Sequence, residues 1–152
     1  MLKKGWITMT DLSKGVFEID GFEINSETTP SEIKKRLKER YIYHNITPSG
    51  KSESFIFHNV NINNRVFSIK LYFYLKSLQN IRLDFMNSEC YSFEQLFEQD
   101  LLWLKAILGE PTESGKFGSI YQYHKYKIGV TYRPNDGRCG ADEFIDINYE
   151  RG

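Results

Sequence analysis

Long apolar runs, net charge and cysteine are what this sequence has least of. No stretch approaches the roughly 18 consecutive apolar residues of a spanning helix, so no membrane partner is expected. Lys plus Arg and Asp plus Glu are 20 each, which removes the overall attraction that nucleic-acid binding rests on, and no nucleic acid is expected. Only Cys90 and Cys139 are present, outside any CxxC pattern. That excludes a disulfide-dense framework; two free thiols in a cytoplasmic protein is the expectation, one disulfide in a secreted protein the alternative. The first fifteen residues lack the apolar segment and small-residue cleavage site of a signal peptide. The three histidines, His44, His58 and His124, fall at no metal-ligand spacing, and no GxSxG, phosphate loop or GxGxxG occurs. No cofactor and no metal are expected.

What is present is aromatic. The 11 Phe, 10 Tyr and 2 Trp make up 15% of the 152 residues, a composition that favours strands and contact surfaces. A chain of this length buries roughly 68–70% of its unfolded surface, enough for a core without staples. Charge is unevenly spread: residues 1–76 hold 12 basic and 8 acidic side chains, the remainder 8 and 12. Such bipolarity steers a charged partner or orients a dimer.

Residues 1–14 are polar and expected to be loosely held, ahead of an α+β domain over 15–152. VFEIDGFEI, residues 16–24, reads as two short strands about Asp20-Gly21, or as one strand bulged at the glycine. Residues 28–40 predict a helix: Thr29 caps, Pro30 suits the first position, Glu32 completes a capping box, and Ile33, Leu37 and Tyr41 share a face. Its remaining faces are basic and read as solvated. After a loop, alternation predicts strands over 55–62, 66–75 and 80–86, with turns at Asn63-Asn64 and residues 76–79. A second helix starts at Ser92 with Gln95 three later and stops at Gly109 and Pro111. Strands over 118–124, 126–133 and 143–150 close the chain.

The order of capped helix, loop and three strands thus occurs twice, over 29–86 and 92–150. Ile81, Leu83 and Phe85 fall on Ile145, Ile147 and Tyr149 at a constant shift of 64, as do Ile56-Phe57 on Ile120-Tyr121. The expected fold is α+β, two helices on one face of an antiparallel sheet of six to eight strands, as a duplicated unit. This pattern resembles the tandem helix-on-sheet repeat of the β-lactamase-inhibitor-protein-like group. The second half, with LGEP at 108–111, GVTY at 129–132 and IDINY at 145–149, is similar to small bacterial immunity proteins of toxin systems. The inhibitor group is exported and disulfide-linked within its units, features not expected of this chain, and the resemblance carries over no functional residue. It implies a protein that acts by occluding a partner's surface.

Tyrosine and arginine are the residues in which interfaces concentrate their energy. The expected contacts are therefore Lys70, Tyr72, Tyr74 and Arg82 on the outer sheet face, with Arg133, Asp136, Arg138 and Asp142 around the loop YRPNDGRCGADEF. The partner is expected to be another protein, and the chain itself a monomer or homodimer. The alternative is a small enzyme or small-molecule binder using a cleft at 133–143. On that alternative Cys139 beside Arg138 would serve as the thiol and Asp142-Glu143 as paired acids.

Overall fold

The structure, a computed structural model, describes residues 12–134 and 140–150. A 3-10 turn, Leu12–Lys14, leads into β1 (Phe17–Ile19) and β2 (Phe22–Ile24), which pair antiparallel. Asp20 at φ 50° and Gly21 at φ 83° form the two-residue turn between them, so two strands form where a single bulged strand was the alternative. Leu12, Phe17, Ile19 and Ile24 are buried, and this hairpin joins the main core.

Helix α1 (Pro30–Arg36) begins with the expected capping box between Thr29 and Glu32 but ends four residues early. Leu37 leaves the helical conformation and is buried, and Arg40 is drawn elsewhere. Its guanidinium donates to the carbonyls of His58 and Asn59 at 2.6 and 3.1 Å and pairs with Asp20 at 3.0 Å. Asn59, at φ 58°, sits in a β-bulge, and Arg40 supplies donors that no neighbouring strand provides there.

The main sheet has the order β3 (Tyr43–Ile46), β4 (Ser52–Ile62), β5 (Arg65–Tyr74), β6 (Ser77–Phe85), β10 (Asp142–Tyr149), β9 (Tyr126–Arg133), β8 (Gly118–Gln122) and β7 (Glu113–Gly115). Every neighbouring pair is antiparallel. The Asn63-Asn64 turn forms as expected, with φ 49° and 66°. The next turn does not fall on 76–79: Leu75 and Lys76 take φ 51° and 65°, so Ser77 already pairs with Tyr74. β3 and β7 were not expected at all. Both are edge strands too short to show alternation, and each forms because a neighbouring strand, β4 or β8, offers it a ladder.

Alternation on the inner strands builds the core. Phe55, Phe57, Phe67, Ile69, Leu71, Phe73, Ile81, Leu83, Ile128, Val130, Ile145 and Ile147 are fully buried, each contributing about 1.5–3 kcal/mol of apolar burial. Helix α2 (Phe93–Leu108) packs against β9 and β10. Phe97 stacks on Tyr132 at 6.0 Å and Trp103 meets Phe67 at 5.0 Å. Ser92 and Gln95 form a reciprocal capping box. Replacing Ser92 by Ala is expected to cost about 1 kcal/mol, read from urea unfolding, because losing the cap leaves the Gln95 backbone donor without its partner. The fold is therefore α+β, with two α-helices, an eight-stranded antiparallel sheet and a two-stranded hairpin among the described residues. No helix among the described residues is long and apolar enough to cross a membrane.

Candidate functional site

Side chains that alternate with the core residues form the opposite face of the sheet. β5 presents Ser68, Lys70, Tyr72 and Tyr74, β6 presents Asn80, Arg82 and Asp84, and β10 presents Asp142, Phe144, Asp146 and Asn148. Register sets them side by side: Lys70 pairs with Arg82, Arg82 with Asp146, and Asp142 with Arg133.

Arg82 is the hub. It donates to both oxygens of Asp84 at 2.9 and 3.0 Å and to both of Asp142 at 2.9 and 3.3 Å. Partial burial alone would lower its pKa, but the hydrogen bonds and charges of Asp84 and Asp142 outweigh that and raise it further. Its guanidinium carbon also lies 4.4 Å from the ring centre of Phe144, and that of Arg133 lies 5.4 Å from the same ring. One phenyl ring is thus held between two cations, one of them tied to the two carboxylates.

Beside this hub a polar seam runs down β6 and β10. Asn80 donates to Asn148 at 2.7 Å, and Asn148 donates to Asp146 at 2.9 Å. Burial raises the Asp146 pKa, opposed by hydrogen bonds from Asn148 and Asn80. Gly129 makes room for this carboxylate, since a Cβ there would lie 3.2 Å from Asp146 Oδ1.

Of the residues expected to make contact, the fold brings Lys70, Tyr72, Arg82, Arg133 and Asp142 onto one face. Lys70 and Tyr74 are exposed, Tyr74 at the far end of β5, while Tyr72 shares a 3.0 Å hydroxyl contact with Ser52. Asp136, Arg138 and Cys139 lie outside the described residues. Next to the hub, a groove of about 620 Å³ is lined by Phe117, Thr131, Tyr132, Arg133 and Asp142 among others. His124 falls in the turn after β8, where a strand was expected, at the other end of the β8–β9 hairpin from Arg133. His58 is engaged by Ser68 at 3.0 Å and His44 by Glu53 at 2.6 Å. No group of ligand side chains able to hold a metal occurs among the described residues.

A second cluster, on the core side, was not anticipated. Arg65, Asp100 and Glu143 come from β5, α2 and β10; Asp100 is completely buried and Glu143 nearly so. Arg65 Nη1 reaches Asp100 Oδ1 at 2.5 Å, and its guanidinium packs among the rings of Phe85, Phe67 and Trp103 at 4.1, 5.6 and 5.9 Å. Burial, then the hydrogen bond and charge of Asp100, push Glu143 up to about 10. Two ionised carboxylates can only accept, so their buried oxygens find partners when Glu143 keeps its proton and donates to Asp100. With Arg65 charged, the cluster is then neutral. Asp100 is the sole charged residue fully buried in the stripe of α2, a hint available to a reader who checks a helical face for polar interruptions.

No protein-family model matches the chain, and neither curated proteins nor solved structures give a match.

Proposed function

We propose that this chain is a non-catalytic protein-binding module that covers a partner's surface with the outer face of its sheet, most concretely an immunity-type protein neutralising a toxin. The observation that carries this reading is the Arg82–Asp142–Phe144–Arg133 constellation. It fixes charged and aromatic groups on strands beside the exposed Lys70, with the exposed Tyr74 farther along the same face of β5. Preorganised Arg and Tyr on a rigid scaffold lose little entropy on docking. One contact from each helix supports this reading, since both lie on the core side: Lys34 of α1 pairs with Glu53, in line with Phe55, and Phe97 of α2 stacks on Tyr132.

The scaffold itself is read as a duplicated unit. Each helix is followed by four strands, and the copies meet at β6 and β10. Residues equated by the shift of 64 sit across that seam: Arg82 faces Asp146, its own counterpart, and the 81–147 and 83–145 pairs exchange on duplication. A twofold relation between the halves produces that arrangement.

The test is affinity capture from the native host with wild-type protein and a Lys70→Glu, Tyr74→Ala variant. A stoichiometric protein partner is expected, its affinity for the variant reduced by roughly 30-fold or more, the loss of about 2 kcal/mol typical of central contacts. Undiminished binding by the variant, or no stoichiometric partner in repeated captures, removes the reading. The groove beside Arg133 favours a second reading, a small anionic ligand held between Arg133 and the Phe117 and Tyr132 rings. Ligand-induced thermal shifts abolished by Arg133→Ala would select it.

A further inference from the structure

The two edges of the main sheet are finished differently. At one end β7 contributes three residues including Glu113, with Lys116 and Glu110 nearby in sequence. Charges on an edge deter strand addition. At the other end β3 lies in a stretch, residues 41–50, without a single charged Lys, Arg, Asp or Glu. Arg40 already closes the neighbouring part of the β4 edge through the His58 and Asn59 carbonyls. Beyond it, β3 is the edge strand and, among the described residues, no further strand pairs with it.

Backbone direction on β3 follows from its hydrogen bonds. Thr47 N–H bonds Ser52 C=O at 3.0 Å, and the register continues from Ile46 opposite Glu53. Alternation then turns the backbone groups of Tyr43 and Asn45 toward β4 and those of His44 and Ile46 outward. Around these outward groups the side chains of Ile42, Tyr43 and Ile46 are 58, 49 and 48% exposed. An outward row of peptide groups flanked by apolar side chains is satisfied by another strand.

We propose that the chain forms a twofold dimer in which β3 pairs antiparallel with β3 of a second copy, centred on Asn45. This register is self-complementary. His44 of one copy exchanges backbone bonds with Ile46 of the other, and Tyr43 lies across from Thr47. Asn45 faces its own counterpart, where two amides can hydrogen-bond. No like charges oppose each other, and the His44 ring is already held by Glu53 of its own copy. The pairing makes one sixteen-stranded sheet and sets two outer faces side by side, so each dimer would offer its partner two copies of the Arg82 hub.

Because Asn45 alone meets itself across the axis, a charge introduced there reads the register. Sedimentation equilibrium of the full chain should show a monomer–dimer equilibrium for the wild type. Asn45→Lys and Asn45→Asp should each weaken it by about tenfold or more, since like charges are placed directly opposite. An equimolar mixture of the two variants should restore dimerisation as a heterodimer. Asn45 is exposed, and circular dichroism confirming that both variants are folded separates lost pairing from lost structure. A wild type that stays monomeric into the hundreds of micromolar overturns the proposal. So do variants that dimerise as tightly as wild type, a mixture that fails to recover, or growth past the dimer through β3-to-β7 pairing.

Discussion

Replacing Arg65 by methionine is expected to destabilise the protein by about 3–5 kcal/mol, the cost of leaving a buried charge without its partner. Asp100 is completely buried and Arg65 is its one cationic contact among the described residues, at 2.5 Å. The loss would lower the melting temperature by roughly 10 °C in a chain of this size. Lysine at the same position should recover only part of it. An ammonium lacks the planar guanidinium face that lies against Phe85 at 4.1 Å while Arg65 Nη1 meets Asp100. Removing the whole cluster is expected to be milder than removing one member. Arg65→Met with Asp100→Leu and Glu143→Leu exchanges three polar groups for apolar ones in a pocket already lined by Phe67, Phe85 and Trp103. Urea unfolding of the single and triple variants decides the matter. A single-variant loss below about 1 kcal/mol would mean that water reaches Asp100 and the pair behaves as a surface one.

This cluster also marks where sequence reading stops. Both capping boxes, the Asp20-Gly21 and Asn63-Asn64 turns and the alternation of β5 were legible, because each is decided by residues within a few positions of one another. β3 and β7 were not, because what makes four and three residues a strand is the ladder of a neighbour. The turn at Leu75-Lys76 was misplaced for a related reason. Pairing of Tyr74 with Ser77 pulls the chain round on two non-glycine residues, against their usual preference for negative φ. On the outer face, alternation alone put Lys70, Tyr72 and Arg82 together. That Arg82 is shared between Asp84 and Asp142, however, depends on β10 lying beside β6, a long-range pairing no local pattern announces. Glu143 was read as the neighbour of Asp142 in a loop, and the strand sends the two to opposite faces of the sheet.

That reversal of faces predicts how stability depends on pH. Glu143 on the core side titrates near 10 in the folded protein, while an unfolded Glu titrates near its ordinary value of 4.5. Between those values the folded state holds a proton that the unfolded state has released, so stability falls as pH rises and the fall ends once pH passes about 10. One such proton gives a slope approaching about 1.4 kcal/mol per pH unit. Asp100 and Asp146, both raised by burial, add to the same direction at the acid end of the window. The groups that set the field are Arg65 from β5, Asp100 from α2 and Asp84 from β6, and only the first of these favours the ionised form of Glu143. Urea unfolding at pH 5.5 and 8.5 should therefore differ by on the order of 2–4 kcal/mol, with the protein more stable in the acid sample. Glu143→Gln should remove most of that slope and leave the variant more stable than wild type at pH 8.5. Its amide supplies, at every pH, the donor toward Asp100 that the carboxyl supplies only while protonated. If the variant keeps the wild-type slope, the proton resides elsewhere and the neutral-cluster account of Arg65, Asp100 and Glu143 fails with it.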